Sequence, residues 1–258
     1  MYLDTPEPPA DPKAQRAADR RRLGTALKLA VGFIALLVVM FGVQHMIDWR
    51  PFAVAPREAL GLLGVLTAPL LHGSPEHLFT NATALLMLGT LAFTLYPRAT
   101  PRALPLVWLG AGLCAWWLGD PGSRHLGASG LTHGLMFLLF VLGLLRRDRP
   151  SVAAGMIAFF FYGGMLLTVL PQEPGVSWQS HLGGAVGVGL AAWLFRASDP
   201  RPPRRRYSWE LEEEQAEQDA AREHDQFESR AADDVPVLWQ RDEPRRGQIL
   251  EFRRKDPP

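Results

Sequence analysis

Cysteine is almost missing from this 258-residue chain. Cys114 stands alone, so no intrachain disulfide can form and stability must come from packing. Charge is missing from the middle. Asp, Glu, Lys and Arg crowd about the first two dozen and the last sixty residues, whereas uncharged runs dominate between them. The mean hydropathy of +0.01 and the formal net charge of +1 are therefore averages of a polar frame and an apolar centre, and describe neither. The N-terminus also lacks the layout of a cleavable signal peptide. Its first apolar run, Leu29 to Val43 and a little beyond, follows more than twenty mostly polar residues and has no small-residue cleavage site, which favours a retained anchor.

What is present is a series of long apolar segments. Crossing about 30 Å of hydrocarbon takes roughly 20 apolar residues. Six segments qualify, over 26–48, 77–96, 103–119, 126–145, 152–171 and 177–195; the third is short, bounded by Arg102 and Asp120. A further stretch, Ala59 to Leu71, holds 13 residues including Gly61, Gly64 and Pro69. It is too short to cross and is expected to form an interfacial or re-entrant loop. Lys and Arg favour cytoplasmic loops. Arg16, Arg20, Arg21, Arg22 and Lys28 precede the first span, Arg98 and Arg102 join the second and third, Arg146, Arg147 and Arg149 join the fourth and fifth, and Arg196, Arg201, Arg204, Arg205 and Arg206 follow the sixth. The alternate loops carry only Arg50, Arg57 and Arg124. The expected fold is all-α, a polytopic membrane bundle of six transmembrane helices with both termini cytoplasmic. Residues 1–25 form a disordered N-terminus in this reading, 26–196 the membrane domain, and 197–258 a charged tail, disordered or partly helical.

Polar residues inside spans are costly and point to function. Asn81 lies 17 positions before Arg98, Ser129 lies 17 before Arg146, and His181 lies 15 before Arg196. At about 1.5 Å per residue, all three sit roughly 22–26 Å above the inner face, in the outer half of the bilayer. Six of the seven histidines fall toward that side, only His224 lying in a cytoplasmic segment. His77 and Asn81 are i, i+4 neighbours on one helix face, as are Ser129 and His133. Ser129 stands in Gly127-Ala128-Ser129-Gly130, where the fourth span begins. A helix N-terminus offers unpaired N–H groups for a developing oxyanion, and the flanking glycines allow close backbone approach. Glycines at 183, 184, 187 and 189 follow His181, a spacing that permits tight helix contact.

Three blocks in order carry a family resemblance: His72-Gly73-Ser74-Pro75-Glu76-His77-Leu78-Phe79-Thr80-Asn81, then Gly127-Ala128-Ser129-Gly130, then His181-Leu182-Gly183-Gly184. At the starts of spans two, four and six they resemble the rhomboid intramembrane proteases. The resemblance covers about residues 26–196. It implies a Ser129–His181 catalytic dyad without an aspartate, His77 and Asn81 as oxyanion ligands, His72 as a structural residue, and Gly184 as a close-packing glycine, with Gly127 and Gly130 flanking the nucleophile. It implies no cofactor and no metal. At the position four residues after the serine, where the family often stacks an aromatic ring on the base, this chain has His133; before the base it has Ser180 in place of a smaller residue.

The implied activity is that of a serine endopeptidase cutting transmembrane segments near their outer ends, with membrane-protein substrates and the lipid bilayer as partners and no nucleic acid. The implied location is a cell membrane, the inner membrane of a bacterium. The residues leave two rivals open. Imidazoles near one depth could bind zinc, although His72 and His77 lack the i, i+4 spacing and following Glu of a helical zincin motif. A catalytically silent relative could bind client helices without cutting. Nothing in the chain names the substrate, the scissile sequence or the oligomeric state. The tail opens with a basic cluster suited to anionic lipid headgroups, then holds eleven Asp/Glu over residues 208–234 against Arg222 and Arg230.

Overall fold

The structure is a computed structural model that describes residues 11–171, 175–201 and 206–227. It divides into two units, Met1–Arg205 and Arg206–Pro258. Among the described residues the chain is helical throughout and forms no strand; a single antiparallel bridge joins Val54 to His125.

The first unit opens with α1, Pro12–Gln44. Asp11 caps it, its carboxylate accepting from the amides of Lys13 and Ala14 at 2.9 and 3.1 Å, and Pro12 occupies the first turn, where its missing N–H costs nothing. The helix therefore begins well before the apolar run. The Ala- and Arg-rich stretch after the cap consists of good helix formers. Residues 1–10 lie outside the described residues. At 33 residues α1 is about 50 Å long, more than the hydrocarbon thickness requires.

The stretch expected as a loop holds a short helix, α2 (Gly61–Thr67), and a 3-10 turn, Ala68–Leu70. It lies on the flank of α5 (Ala99–Leu118), with Trp108 Nε1 donating to the Val65 carbonyl at 3.1 Å and Trp116 Nε1 to that of Glu58 at 2.9 Å. The second long segment is composite: α3 (Pro75–Ala84), a π-helical turn at Leu85–Gly89, and α4 (Thr90–Leu95). Next come α6 (Ser129–Arg146), α7 (Arg149–Tyr162) with its 3-10 continuation Gly163–Val169, and α8 (Trp178–Phe195).

Long helical segments thus occupy all six expected ranges, and four are both long and apolar enough to cross a membrane: α1, Pro75–Leu95, α6 and Arg149–Val169. The other two fall short in composition. α5 carries Pro101, Arg102, Pro105 and three tryptophans, and α8 begins with Gln179, Ser180 and His181 and is rich in glycine. Each buries one face against neighbouring helices. They pack on one another through Gly110, Gly183 and Gly187, each so close to the opposite backbone that an added Cβ would collide with it. α6 is the central helix: 67% of its apolar window is buried, against 17% for α1 and for α7 with its continuation. Leu131, Leu135, Met136, Leu138, Leu139 and Leu142 supply its share of the core. Large apolar side chains elsewhere point outward, among them Val39, Trp117, Phe160 and Val186, as lipid-facing surfaces require.

At the end of the bundle opposite Ser129, a buried polar cluster ties three junctions together. Arg146 pairs with Asp148 at 3.2 Å, lies over the Tyr96 ring, and donates to the carbonyls of Asp199 and Pro200. The Asp199 carboxylate accepts from the amides of Arg98 and Ala99, both at 2.9 Å, at the start of α5. Burial alone would raise the Asp148 carboxyl, yet hydrogen bonds from Ser151 and Arg146 together with the Arg146 charge hold it below the usual carboxylate range. In the second unit α9, Ser208–Phe227, is the acidic segment; it is exposed at almost every described position.

Candidate active site

Ser129 is the first residue of α6, and Ala128 precedes it as the non-helical cap. Gly127 before that has φ +111°, and a Cβ there would lie 2.5 Å from the His77 ring. Only glycine satisfies both conditions, so the chain turns sharply into α6 with His77 packed against the turn. The amides of Ser129 and Gly130, in the first turn, have no carbonyl one turn behind them and point out of the helix end.

His181 enters from α8, in its first turn. Ser177 caps that helix, and its hydroxyl contacts the Ser180 hydroxyl at 2.8 Å and His125 Nδ1 at 2.7 Å. Gly184 and Gly130 face each other where α8 crosses α6, again too close for a Cβ on Gly184. This crossing sets His181 against Ser129, and His181 Nε2 lies 2.9 Å from Ser129 Oγ. Its other nitrogen, Nδ1, lies 3.0 Å from the carbonyl oxygen of Thr168. A carbonyl only accepts, so Nδ1 carries the proton and Nε2 presents its lone pair to the serine hydroxyl.

His133 stacks on His181, the ring centroids 3.7 Å apart and the planes 11° from parallel. It also bonds through Nδ1 to the Ser129 carbonyl at 2.7 Å and through Nε2 to Thr168 Oγ1 at 2.8 Å. Across the opening, Asn81 is buried and its amide donates to the His77 carbonyl at 3.0 Å, one turn back on α3. Ser74 caps α3 by accepting from the His77 amide at 3.1 Å. The His77 ring meets the edge of the His72 ring at 5.1 Å. His72 is fully buried behind it, gripped through its backbone: Gln44 Nε2 donates to its carbonyl at 2.5 Å and Gln44 Oε1 accepts from its amide at 3.1 Å. Burial, and secondarily the neighbouring His77, push the His72 imidazole down to about 4.

These groups share one cavity of about 1120 Å³, lined by His77, Asn81, Ser129, His133, Thr168 and His181 among others. A hydroxyl held against a neutral imidazole can be deprotonated as it attacks, and helix-end amides and a buried amide side chain can hold a developing negative charge. Among the described residues, no three His, Cys, Asp or Glu side chains converge in a way that could hold a metal ion.

Residues 60–198 match the Rhomboid domain. The chain belongs to the rhomboid family. It is similar to the uncharacterized protein Rv1337 of Mycobacterium tuberculosis (strain ATCC 25618 / H37Rv), at 37% identity over 177 residues, 65% of this chain and 74% of that one. It is likewise similar to the uncharacterized protein ML1171 of Mycobacterium leprae (strain TN), at 38% identity over 146 residues, 54% of this chain and 58% of that one. Neither name records an activity. As a rhomboid with several apolar helices, this is a membrane protein.

Of the residues singled out in this rhomboid sequence, Ser129, His181, His133, His77 and Asn81 line that cavity, while His72 lies behind His77, Gly127 packs against the His77 ring, and Gly130 and Gly184 meet where α6 and α8 cross. Three other participants were not singled out. Gln44 is a lone polar residue near the end of an apolar helix, His125 lies in a loop, and Thr168 acts partly through its backbone carbonyl, a group every residue has. An isolated Gln in a span was the one readable clue.

Proposed function

We propose that this rhomboid is an intramembrane serine endopeptidase that cuts the transmembrane segments of other proteins near their outer ends. The observation that carries the reading is the 2.9 Å approach of His181 Nε2 to Ser129 Oγ, together with the Nδ1–H to Thr168 carbonyl bond that leaves Nε2 as the acceptor. His181 takes the Ser129 proton as Oγ bonds to the scissile carbonyl carbon. The resulting oxyanion is held by the amide of Ser129, His77 and the Asn81 side chain, a strong donor of this kind contributing about 3–4 kcal/mol. The carbon–nitrogen bond then breaks while His181 returns its proton to the leaving amine. Water, deprotonated by the same imidazole, hydrolyses the acyl-enzyme and regenerates the serine. Because a helical peptide bond is sheltered, substrates carry small or helix-breaking residues at the cleavage point.

The arginine pattern supports six spans with both termini cytoplasmic, Ser129 in the outer half of the bilayer, and residence in a bacterial inner membrane. In this arrangement α5 and α8 cross side by side, each with one face packed on protein. The test is labelling of the purified protein with a fluorophosphonate probe, beside cleavage of a single-span reporter in proteoliposomes. Wild type labels and cuts; Ser129→Ala and His181→Ala do neither while keeping the wild-type melting temperature. A folded wild type that neither labels nor cuts overturns the protease reading and leaves a helix-binding relative.

A further inference from the structure

Among the described residues no carboxylate bonds the His181 ring, so other groups hold its position and tautomer. The bonds around it form a closed circuit. Ser129 Oγ meets His181 Nε2 at 2.9 Å, and His181 Nδ1 meets the Thr168 carbonyl at 3.0 Å. Thr168 Oγ1 meets His133 Nε2 at 2.8 Å, and His133 Nδ1 returns to the Ser129 carbonyl at 2.7 Å. Proton accounting sets every direction. Both Nδ1 atoms face carbonyl oxygens, which only accept, so both carry hydrogen. With both rings neutral, each Nε2 is then an acceptor, one from the Ser129 hydroxyl and the other from the Thr168 hydroxyl. The two stacked imidazoles thus adopt the same tautomer, each dictated by the other's neighbours.

Thr168 lies in the 3-10 segment Gly163–Val169, which has no buried residue. Leu167 and Leu170, on either side of Thr168, are 61% and 59% exposed, while Met165 and Leu166 pack against the core, so packing seats only one side of this stretch. The bonds between the Thr168 hydroxyl and His133 at 2.8 Å and between its carbonyl and His181 at 3.0 Å tie it to α6 and α8. The side chain thereby fixes the position of the carbonyl that orients the base.

Resting on the protease reading of Ser129 and His181, we propose that Thr168 and His133 are positioning residues. Together they clamp the segment after α7 onto α6 and α8 and hold His181 in its accepting tautomer. Stacking alone does not suffice; the hydrogen bonds of His133 are required. Thr168→Val removes the hydroxyl while preserving shape, and His133→Phe preserves a stacked ring while removing both hydrogen bonds.

The experiment uses the full chain in detergent and in proteoliposomes, with the rate of fluorophosphonate labelling, kcat and KM for the reporter, the melting temperature, and ¹⁵N NMR of labelled histidines. Thr168→Val and His133→Phe are each expected to slow labelling and kcat tenfold or more with KM within about twofold. Thr168→Ser recovers most of the loss, and the double variant loses little beyond either single one because both cut the same circuit. The NMR spectrum shows His181 protonated at Nδ1 in the wild type and a mixture of tautomers in Thr168→Val. Wild-type labelling rates in folded Thr168→Val or His133→Phe overturn the clamp and leave the dyad standing. A wild type that does not label, but whose His181 tautomer depends on Thr168, retires the protease reading and leaves the clamp.

Discussion

Gly130→Ala is the sharpest single test of how the bundle sets the dyad. The added Cβ would lie 2.5 Å from Ala111 Cβ on α5 and 3.1 Å from the Ser180 carbonyl oxygen on α8, whereas ordinary contact begins at 3.4 Å. Relief requires α6 to withdraw from α5 by roughly 0.9 Å. Ser129 is the adjacent residue, and a shift of that size along the Ser129–His181 line stretches 2.9 Å to about 3.8 Å, beyond hydrogen-bonding reach. A misplacement near 1 Å at reacting atoms costs about 100-fold in rate. Stability changes far less. Overpacking costs about 1–3 kcal/mol, partly offset by up to about 1 kcal/mol from the better helix propensity of alanine. The assay is the fluorophosphonate labelling rate beside the melting temperature, with Gly189→Ala as control, since no atom lies within 4 Å of a Cβ there. The expected result is a folded Gly130→Ala protein labelling roughly 100-fold more slowly and a Gly189→Ala protein at the wild-type rate. Gly130→Ala labelling within threefold of wild type, with an unchanged melting temperature, would refute the claim that this crossing positions Ser129.

Three further outcomes follow from the same geometry. Asn81→Ala is expected to lower kcat by about 100-fold, the effect of one lost oxyanion donor, with KM little changed in the reporter assay. Gln44→Leu leaves the buried amide and carbonyl of His72 unpaired and is expected to destabilise the bundle by about 2–4 kcal/mol, seen as a lowered melting temperature with residual labelling below it. His72, with its imidazole pushed down to about 4 in the folded protein, is neutral there at pH values where the unfolded chain already binds a proton. Its contribution to stability is complete above about pH 6.5 and is lost as pH falls toward 4, about 3 kcal/mol in all. Thermal melts across that range should show a decline that His72→Asn flattens.

The linear chain determined the level along its own helix at which each site residue lies. Rise per residue is constant, so counting from Asn81, Ser129 and His181 to the arginines beyond them already puts the three at one level of the bundle. Capping chemistry is equally local, as at Ser74-Pro75 and Asp148-Arg149-Pro150. Depth leaves the rotation of each helix about its own axis free, and that was decided by packing. The contacts of Gly110, Gly183 and Gly187 between α5 and α8, and of Gly130 and Gly184 between α6 and α8, turn His181 toward Ser129. The same contacts hold the two less apolar helices, α5 and α8, against one another, a pairing that their composition does not announce. Arg146 reads in sequence as one more loop charge, yet it is buried and paired with Asp148, because whether a charge at a helix end meets water or a neighbour depends on how the chain folds back. Thr168 marks the limit of reading most clearly: the atom that meets His181 Nδ1 is a backbone carbonyl, identical at every position, and only the tertiary fold brings this one within 3.0 Å of the imidazole.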